Sequence, residues 1–297
     1  MELKTQICDT KFRDIVPEDA KLEHIATGFS FIEGPVWCGN YLLFSDIPKN
    51  RIVKYKMLAE GPEVNTFRSP SGNSNGLTLD ATRRLVACEH GTRRVTRTET
   101  DGTIKVLADS YQGHRLNSPN DVVVRSDGST YFTDPPYGLK DGKTWKELPF
   151  NGVYRITYGG EVELLVDDFD RPNGLAFSPD ENTLYIDDTM RKHIRAFDVN
   201  PDGGLSNGRI FADLKAEEPG APDGMKVDCH GNIYCTGPGG IWIIDPAKNC
   251  LGRILTPEIP ANLAWGDSDW KTLYITARPS LYKIKLNIPG IAVGVGM

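Results

Sequence analysis

Apolar and polar residues alternate with a period near two along most of the chain, and Gly, Pro, Asn and Asp interrupt them at short intervals. The stretch RPNGLAFSPDENTLYIDDTMRKHIRAFDVN, residues 171–200, shows the unit most clearly. An apolar run at 175–177 leads into a tight turn at 178–182 and a second run at 183–186. A short loop at 187–191 then leads into a third run at 193–197. Alternation of this period, bounded by turn formers, predicts strands joined as hairpins and argues against helices.

The unit recurs. Looser copies read EGPVWCGNYLLFSDIPKNRIVKY, NGLTLDATRRLVACEHGTRRVTR, NDVVVRSDGSTYFTDPPYG, DGMKVDCHGNIYCTGPGGIWIID and NLAWGDSDWKTLYITARPSLYKI. Aligned on the polar residue that opens the first strand, the units begin at Glu33, Asn75, Asn120, Asn173, Asp223 and Asn262, spaced by 42, 45, 53, 50 and 39 residues. Self-similarity at roughly 40–50 residues with about four short strands per unit is the mark of a β-propeller. The expectation is an all-β, six-bladed propeller with four-stranded blades. Residues 1–20 are polar and read as an N-terminal arm, and 21–297 as one propeller domain. The last unit shows only three clear strands, so the alternating segment at 21–28 is expected to complete it and leave no open edge.

In such a ring the openers stand at one mouth of the central channel. The loops between second and third strands return to the same face, carrying Asp46, Glu89, His90, Asp134, Asp187, Asp188 and Arg278. The opposite face collects turns. One insertion breaks the pattern: residues 134–151 are too long for a hairpin and rich in Pro, Gly and aromatics. A long loop in a compact repeat suggests a lid or substrate rim, with Tyr137 and Trp145 as apolar contacts.

Composition narrows the classes. With 39% hydrophobic and 25% charged residues the chain reads as an ordinary globular protein. A net charge of −6, with Lys and Arg scattered, argues against nucleic acid as a partner. No apolar run has the length of a membrane span, and the polar N-terminus lacks a signal core, so the cytoplasm is the expected compartment. The six cysteines show no zinc-ligand spacing. Cys229 and Cys235 fall on neighbouring strands, where a disulfide is geometrically feasible, but a reducing compartment argues against one.

The six openers comprise two carboxylates and four amides. Asn75-Gly76, Asn173-Gly174 and Asp223-Gly224 could be turn dipeptides. Glu33, Asn120 and Asn262 fit that reading poorly, because polarity persists there without the turn partner. Converging carboxylate and amide oxygens would form a hard-oxygen site suited to Ca²⁺, Mg²⁺ or Mn²⁺.

Several runs resemble the senescence marker protein/regucalcin–gluconolactonase family: FIEGPVW at 31–37, NSPNDV at 117–122, RPNGL at 171–175 and PDGM at 222–225. ACEHG at 87–91 and YFTDPPYGL at 131–139 are similar to its microbial gluconolactonase branch. The resemblance covers roughly residues 21–286. It implies a six-bladed propeller that hydrolyses sugar lactones with one divalent metal, Ca²⁺ first, with Mg²⁺, Mn²⁺ or Zn²⁺ as alternatives. By motif, Glu33, Asn173 and Asp223 match metal ligands, Asp223 matches the acid/base, and Asn120 matches a position contacting substrate. Asn75 and His90 join it on the substrate side. Regucalcin members carry an Arg two residues before this Asn, where this chain has Ser118; Arg115 lies nearby at another register and is the candidate to hold substrate hydroxyls.

Lactone hydrolysis needs a polarised carbonyl, a water nucleophile and a base for its proton. Asp223 is the first candidate base. Asp121, Asp134 and Asp188 are weaker ones, expected to face away from the channel or to serve in loops. No G-x-S-x-G elbow supports a serine nucleophile. Hydrolysis of other lactones, esters or phosphotriesters, and ligand binding without catalysis, are the rival readings.

Overall fold

The turn at 178–182 follows from its residues. Ser178 N–H donates to Thr183 O (2.9 Å), Asn182 N–H to Asp180 Oδ1 (3.1 Å), and Glu181 takes a left-handed φ of 55°. The flanking strands Pro172–Phe177 and Thr183–Asp188 therefore pair antiparallel, with Phe177 opposite Leu184. A computed structural model gives the fold and describes residues 2–139 and 145–294.

Among the described residues five sheets have four or more strands, all antiparallel. One contains Ser74–Leu79, Leu85–Glu89, Arg94–Thr98 and Ile104–Ala108. The next holds Val122–Val124, Thr130–Asp134, Asn151–Ile156 and Val162–Phe169. The third runs from Pro172–Phe177 through His193–Val199 to Leu205–Asp213. The fourth is built from Met225–Val227, Ile233–Gly237, Gly240–Ile244 and Cys250–Leu255. Among the described residues α-helix is confined to Phe12–Ile15.

The fifth sheet corrects the expectation of six separate blades. Glu23–Trp37 is one continuous strand of 15 residues. Its start pairs with Thr272–Lys285 (Glu23 opposite Lys283) and its end with Leu42–Asp46 (Trp37 opposite Leu42). The first and last repeats are thereby joined in a single six-stranded sheet, and the propeller has five sheets where six were expected. Among the described residues six buried apolar clusters fill the space between neighbouring repeats. One of these, with Phe44, Tyr55, Ala264 and Tyr274, lies between the two halves of the shared sheet.

The N-terminal segment is more than an arm. Lys4–Ile7 adds a strand to Cys250–Leu255, and Phe12, Ile15 and Val16 are fully buried beside Tyr234 and Ile254. No described helix is long and apolar enough to cross a membrane. All six cysteines are free: Cys229 is exposed in the turn after Met225–Val227, whereas Cys235 is buried.

Candidate functional site

The openers line the channel as the repeat register requires, and five of them, all but Asp223, are almost completely buried. The glycines that follow three of them are not turn residues, since none of Gly76, Gly174 and Gly224 has a left-handed φ. They allow close approach of neighbouring repeats. Gly76 N–H donates to Asn120 O and Gly174 N–H to Asp223 O, each at 2.7 Å. A Cβ on Gly174 would stand 2.2 Å from that oxygen, so any side chain would force the repeats apart. Hydroxyls of second-strand residues complete the ring: Ser45 Oγ donates to Asn75 O and Thr133 Oγ1 to Asn173 O, both at 2.8 Å. The ring fixes the openers' backbones and so aims their side chains.

Acids converge inside it. Asp223, partly exposed, stands against the carboxyl of Glu33. Asn262 Nδ2–H bridges Glu33 Oε2 (2.9 Å) and Asp121 Oδ2 (3.2 Å), so Asp121 faces the channel and not the blade. Asp187 is fully buried, and its Oδ1 has no hydrogen-bond partner among the described residues. Burial and then the neighbouring Asp121 raise the Glu33 carboxyl to about 7. Burial, and then Glu33, raise that of Asp223 well above the ordinary range. The nearby cation is Lys226, held by Met225 O (2.9 Å) and Asn262 Oδ1 (3.3 Å), which lowers Glu33 only slightly. Four crowded carboxyls and one lysine leave an excess of negative charge, which a divalent cation would relieve. The donors fit such an ion: two carboxylates and the Asn173 amide offer only hard oxygens. Among the described residues no group of three or more His, Cys, Asp or Glu side chains is arranged to hold a metal.

The amides are individually held. Asn173 Nδ2–H donates to Thr189 Oγ1 at 3.0 Å. Asn75 Nδ2 lies 3.1 Å from His90 Nε2, and its Oδ1 is buried without a partner among the described residues. Because Nδ2 can only donate, Nε2 accepts and the ring proton sits on Nδ1. Burial holds the His90 imidazole down at about 4, so it is neutral at pH 7. Asn120 is anchored through its backbone, N–H to Thr133 O at 2.8 Å.

The acids ending the second strands have a different task. Asp46 Oδ1 accepts from Ser30 N–H (3.2 Å), Asp134 Oδ2 from Asn117 N–H (2.7 Å) and Asp188 Oδ2 from Asp170 N–H (2.8 Å). Each donor lies three residues before an opener, so these carboxylates shape the loop that delivers it. Asp134 and Asp188 are therefore not competing bases. Their strand-end position, repeated in four units if Glu89 is included, was the signal that could have shown this.

Arg115 is not brought to the others. It is exposed on a two-residue strand, its guanidinium donating to Thr92 O at 3.2 Å. Ser118 instead clamps the long loop: its hydroxyl donates to Pro135 O (2.6 Å) and accepts from Gly138 N–H (2.8 Å). A Cβ on Gly138 would meet that of His90 at 2.6 Å, so the loop seats on the histidine. Tyr137 and Trp145 are exposed, whereas Leu139 and Leu148 are buried. The part of the expected lid at 140–144 lies outside the described residues. A cavity of 330 Å³ occurs on the turn face, lined by Val124, Phe177, Trp265 and Val293 among others. It is mainly apolar and contains none of the openers.

Comparison with known proteins places the whole chain in a family. The family described as the SMP-30/Gluconolactonase/LRE-like region matches residues 31–278. A gluconolactonase of Zymomonas mobilis is 34% identical over 91% of this chain and 83% of its own. The structure of a gluconolactonase from Xanthomonas campestris shares 35% identity and superposes with a TM-score of 0.85, covering 95% of this chain and 94% of that one. A calcium-binding regucalcin from Agrobacterium tumefaciens shares the fold, with a TM-score of 0.76 at 18% identity over 92% of this chain and 96% of that one. With its match from the first opener past the last, and with relatives of this identity along nearly its whole length, the chain belongs to the SMP-30/gluconolactonase/LRE-like family.

Proposed function

We propose that this protein is a metal-dependent hydrolase that opens a sugar lactone of the aldonolactone class, a gluconolactone being the first candidate. One observation carries the reading: Glu33 and Asp223 stand against each other at the channel mouth, with the amide of Asn173 beside Asp223. A divalent cation held there by Glu33, Asn173 and Asp223 would supply Lewis-acid polarisation of the lactone carbonyl. Ca²⁺ suits the all-oxygen set best; Mg²⁺, Mn²⁺ and Zn²⁺ are the alternatives to test.

The chain's own groups do the rest. Asp223, the least enclosed of the channel carboxylates, takes a proton from the attacking water. The water oxygen bonds to the carbonyl carbon, the ring C–O bond breaks, and the proton passes to the departing alkoxide. The free Oδ1 of Asn75 accepts from a sugar hydroxyl, while neutral His90 keeps the amide turned that way. Asn120 supplies a further polar contact. Arg115 has no part in this reading, because it faces Thr92.

The test is hydrolysis of sugar lactones, aliphatic lactones and phosphotriesters, each with added Ca²⁺, Mg²⁺, Mn²⁺ or Zn²⁺ and after chelation. Sugar lactones should be opened fastest, and a chelator should stop turnover. Absence of lactone turnover with every metal, or faster turnover of phosphotriesters, would contradict the proposal.

A further inference from the structure

Thr189 follows the strand Thr183–Asp188 and has no motif to recommend it. Its hydroxyl nevertheless joins one opener, Asn173, to the residue just before another, Asp223. Oγ1 donates to Pro222 O at 2.8 Å, and Asn173 Nδ2 lies 3.0 Å from the same oxygen. A carbonyl can only accept, so the single hydroxyl proton is committed to Pro222. Towards Asn173 the oxygen presents lone pairs and must receive an N–H. The amide is thereby fixed with its nitrogen on Thr189, since the reversed orientation would set two oxygens against each other. The Asn173 side chain also hydrogen-bonds the Asp223 carboxyl, and Asp223 is the residue after Pro222.

We infer that Thr189 is a positioning residue: its hydroxyl turns the oxygen of the Asn173 amide toward the metal position and ties that amide to the segment carrying Asp223. The inference rests on the metal-site reading above and names what orders two of its three ligands. A methyl in place of the hydroxyl removes both links at nearly constant volume. A serine keeps both.

The test compares Ca²⁺ affinity, by isothermal titration calorimetry, of the unmodified protein, Thr189→Val and Thr189→Ser, with thermal melting in chelator as the folding control. Groups that orient a metal ligand typically contribute on the order of 10–100-fold in affinity. Thr189→Val should weaken Ca²⁺ binding by that factor with an unchanged metal-free melting temperature, and Thr189→Ser should bind like the unmodified protein. Were Thr189→Val unable to fold, Thr189→Ala carries the same comparison. Equal affinities in the hydroxyl-free variant and the unmodified protein would overturn this inference alone. No Ca²⁺ binding by the unmodified protein would overturn it together with the metal-site reading.

Discussion

Two repeats place an asparagine at the same register and hold it from the same loop, yet with different chemistry. Asn75 leans on the imidazole of His90, and Asn173 on the hydroxyl of Thr189. In both, the amide nitrogen is bound and the oxygen is left for something else. What differs is the neighbourhood. Asn173 stands beside the Asp223 carboxylate, whereas Asn75 pairs with a neutral ring on which the long loop rests. On the proposed function the same amide would be a metal donor where negative charge converges and a substrate contact where it does not.

Truncating the two amides should separate these roles most sharply. Asn173→Ala should weaken Ca²⁺ binding and, at limiting metal, reduce turnover on the order of 100-fold, since a direct ligand should count at least as much as the groups that orient it. A variant with unchanged Ca²⁺ affinity in calorimetry would erase the distinction. Asn75→Ala should leave Ca²⁺ affinity alone and raise KM for a sugar lactone roughly tenfold, the equivalent of one hydrogen bond. Steady-state kinetics at saturating metal would decide it, and a loss of metal affinity instead would move Asn75 into the metal set.

A smaller effect is expected at the third corner, where Asp134 shapes a loop and touches no substrate. Burial, the largest cause, pushes its carboxyl up to about 7 from an ordinary value near 4, and its Oδ1 has no partner among the described residues. An acid with a raised folded value stabilises fully below its unfolded value, and that contribution is lost as pH rises through the folded one. Asp134→Asn keeps an acceptor for Asn117 N–H and removes the ionisation. Its melting temperature should therefore gain on the unmodified protein between pH 4 and 7, with Ca²⁺ affinity unchanged. Parallel melting curves across that range would show that Asp134 does not ionise there.

Much of this was legible in the sequence. A polar residue recurred at one register even where no glycine followed, as at Glu33 and Asn262, and that persistence marked a ring and not a set of turns. The glycines themselves misled, because Asn-Gly looks the same whether it bends a chain or lets two strands touch; only the 2.7 Å contact of Gly174 with Asp223 O tells them apart. Alternation hid the direction of Asp121, whose side chain meets Asn262 across the channel from a distant repeat. The partners of an opener lie outside its own strand, Thr189 in the loop after the second strand of the same unit and Ser45 in a different unit, and neither carries a motif. Sheet count was likewise beyond reach. The alternation at 21–28 did indicate that this segment completes the last repeat, as Glu23 opposite Lys283 shows. It did not indicate that the strand runs on unbroken to Trp37 and joins two repeats in one sheet.

The role of Asp223 decides the most. Asp223→Asn and Glu33→Gln each keep an oxygen and nearly the same shape, and each removes one carboxylate from the site. Their lactone hydrolysis rates should be measured across a Ca²⁺ titration, with binding followed in parallel. Both variants should bind Ca²⁺ more weakly. At saturating Ca²⁺, Glu33→Gln should regain much of its rate, whereas Asp223→Asn should remain about 10²–10⁴-fold slow, the usual contribution of a general base. Full recovery of Asp223→Asn at saturating Ca²⁺ would show that Asp223 is a ligand alone and that the proton goes elsewhere.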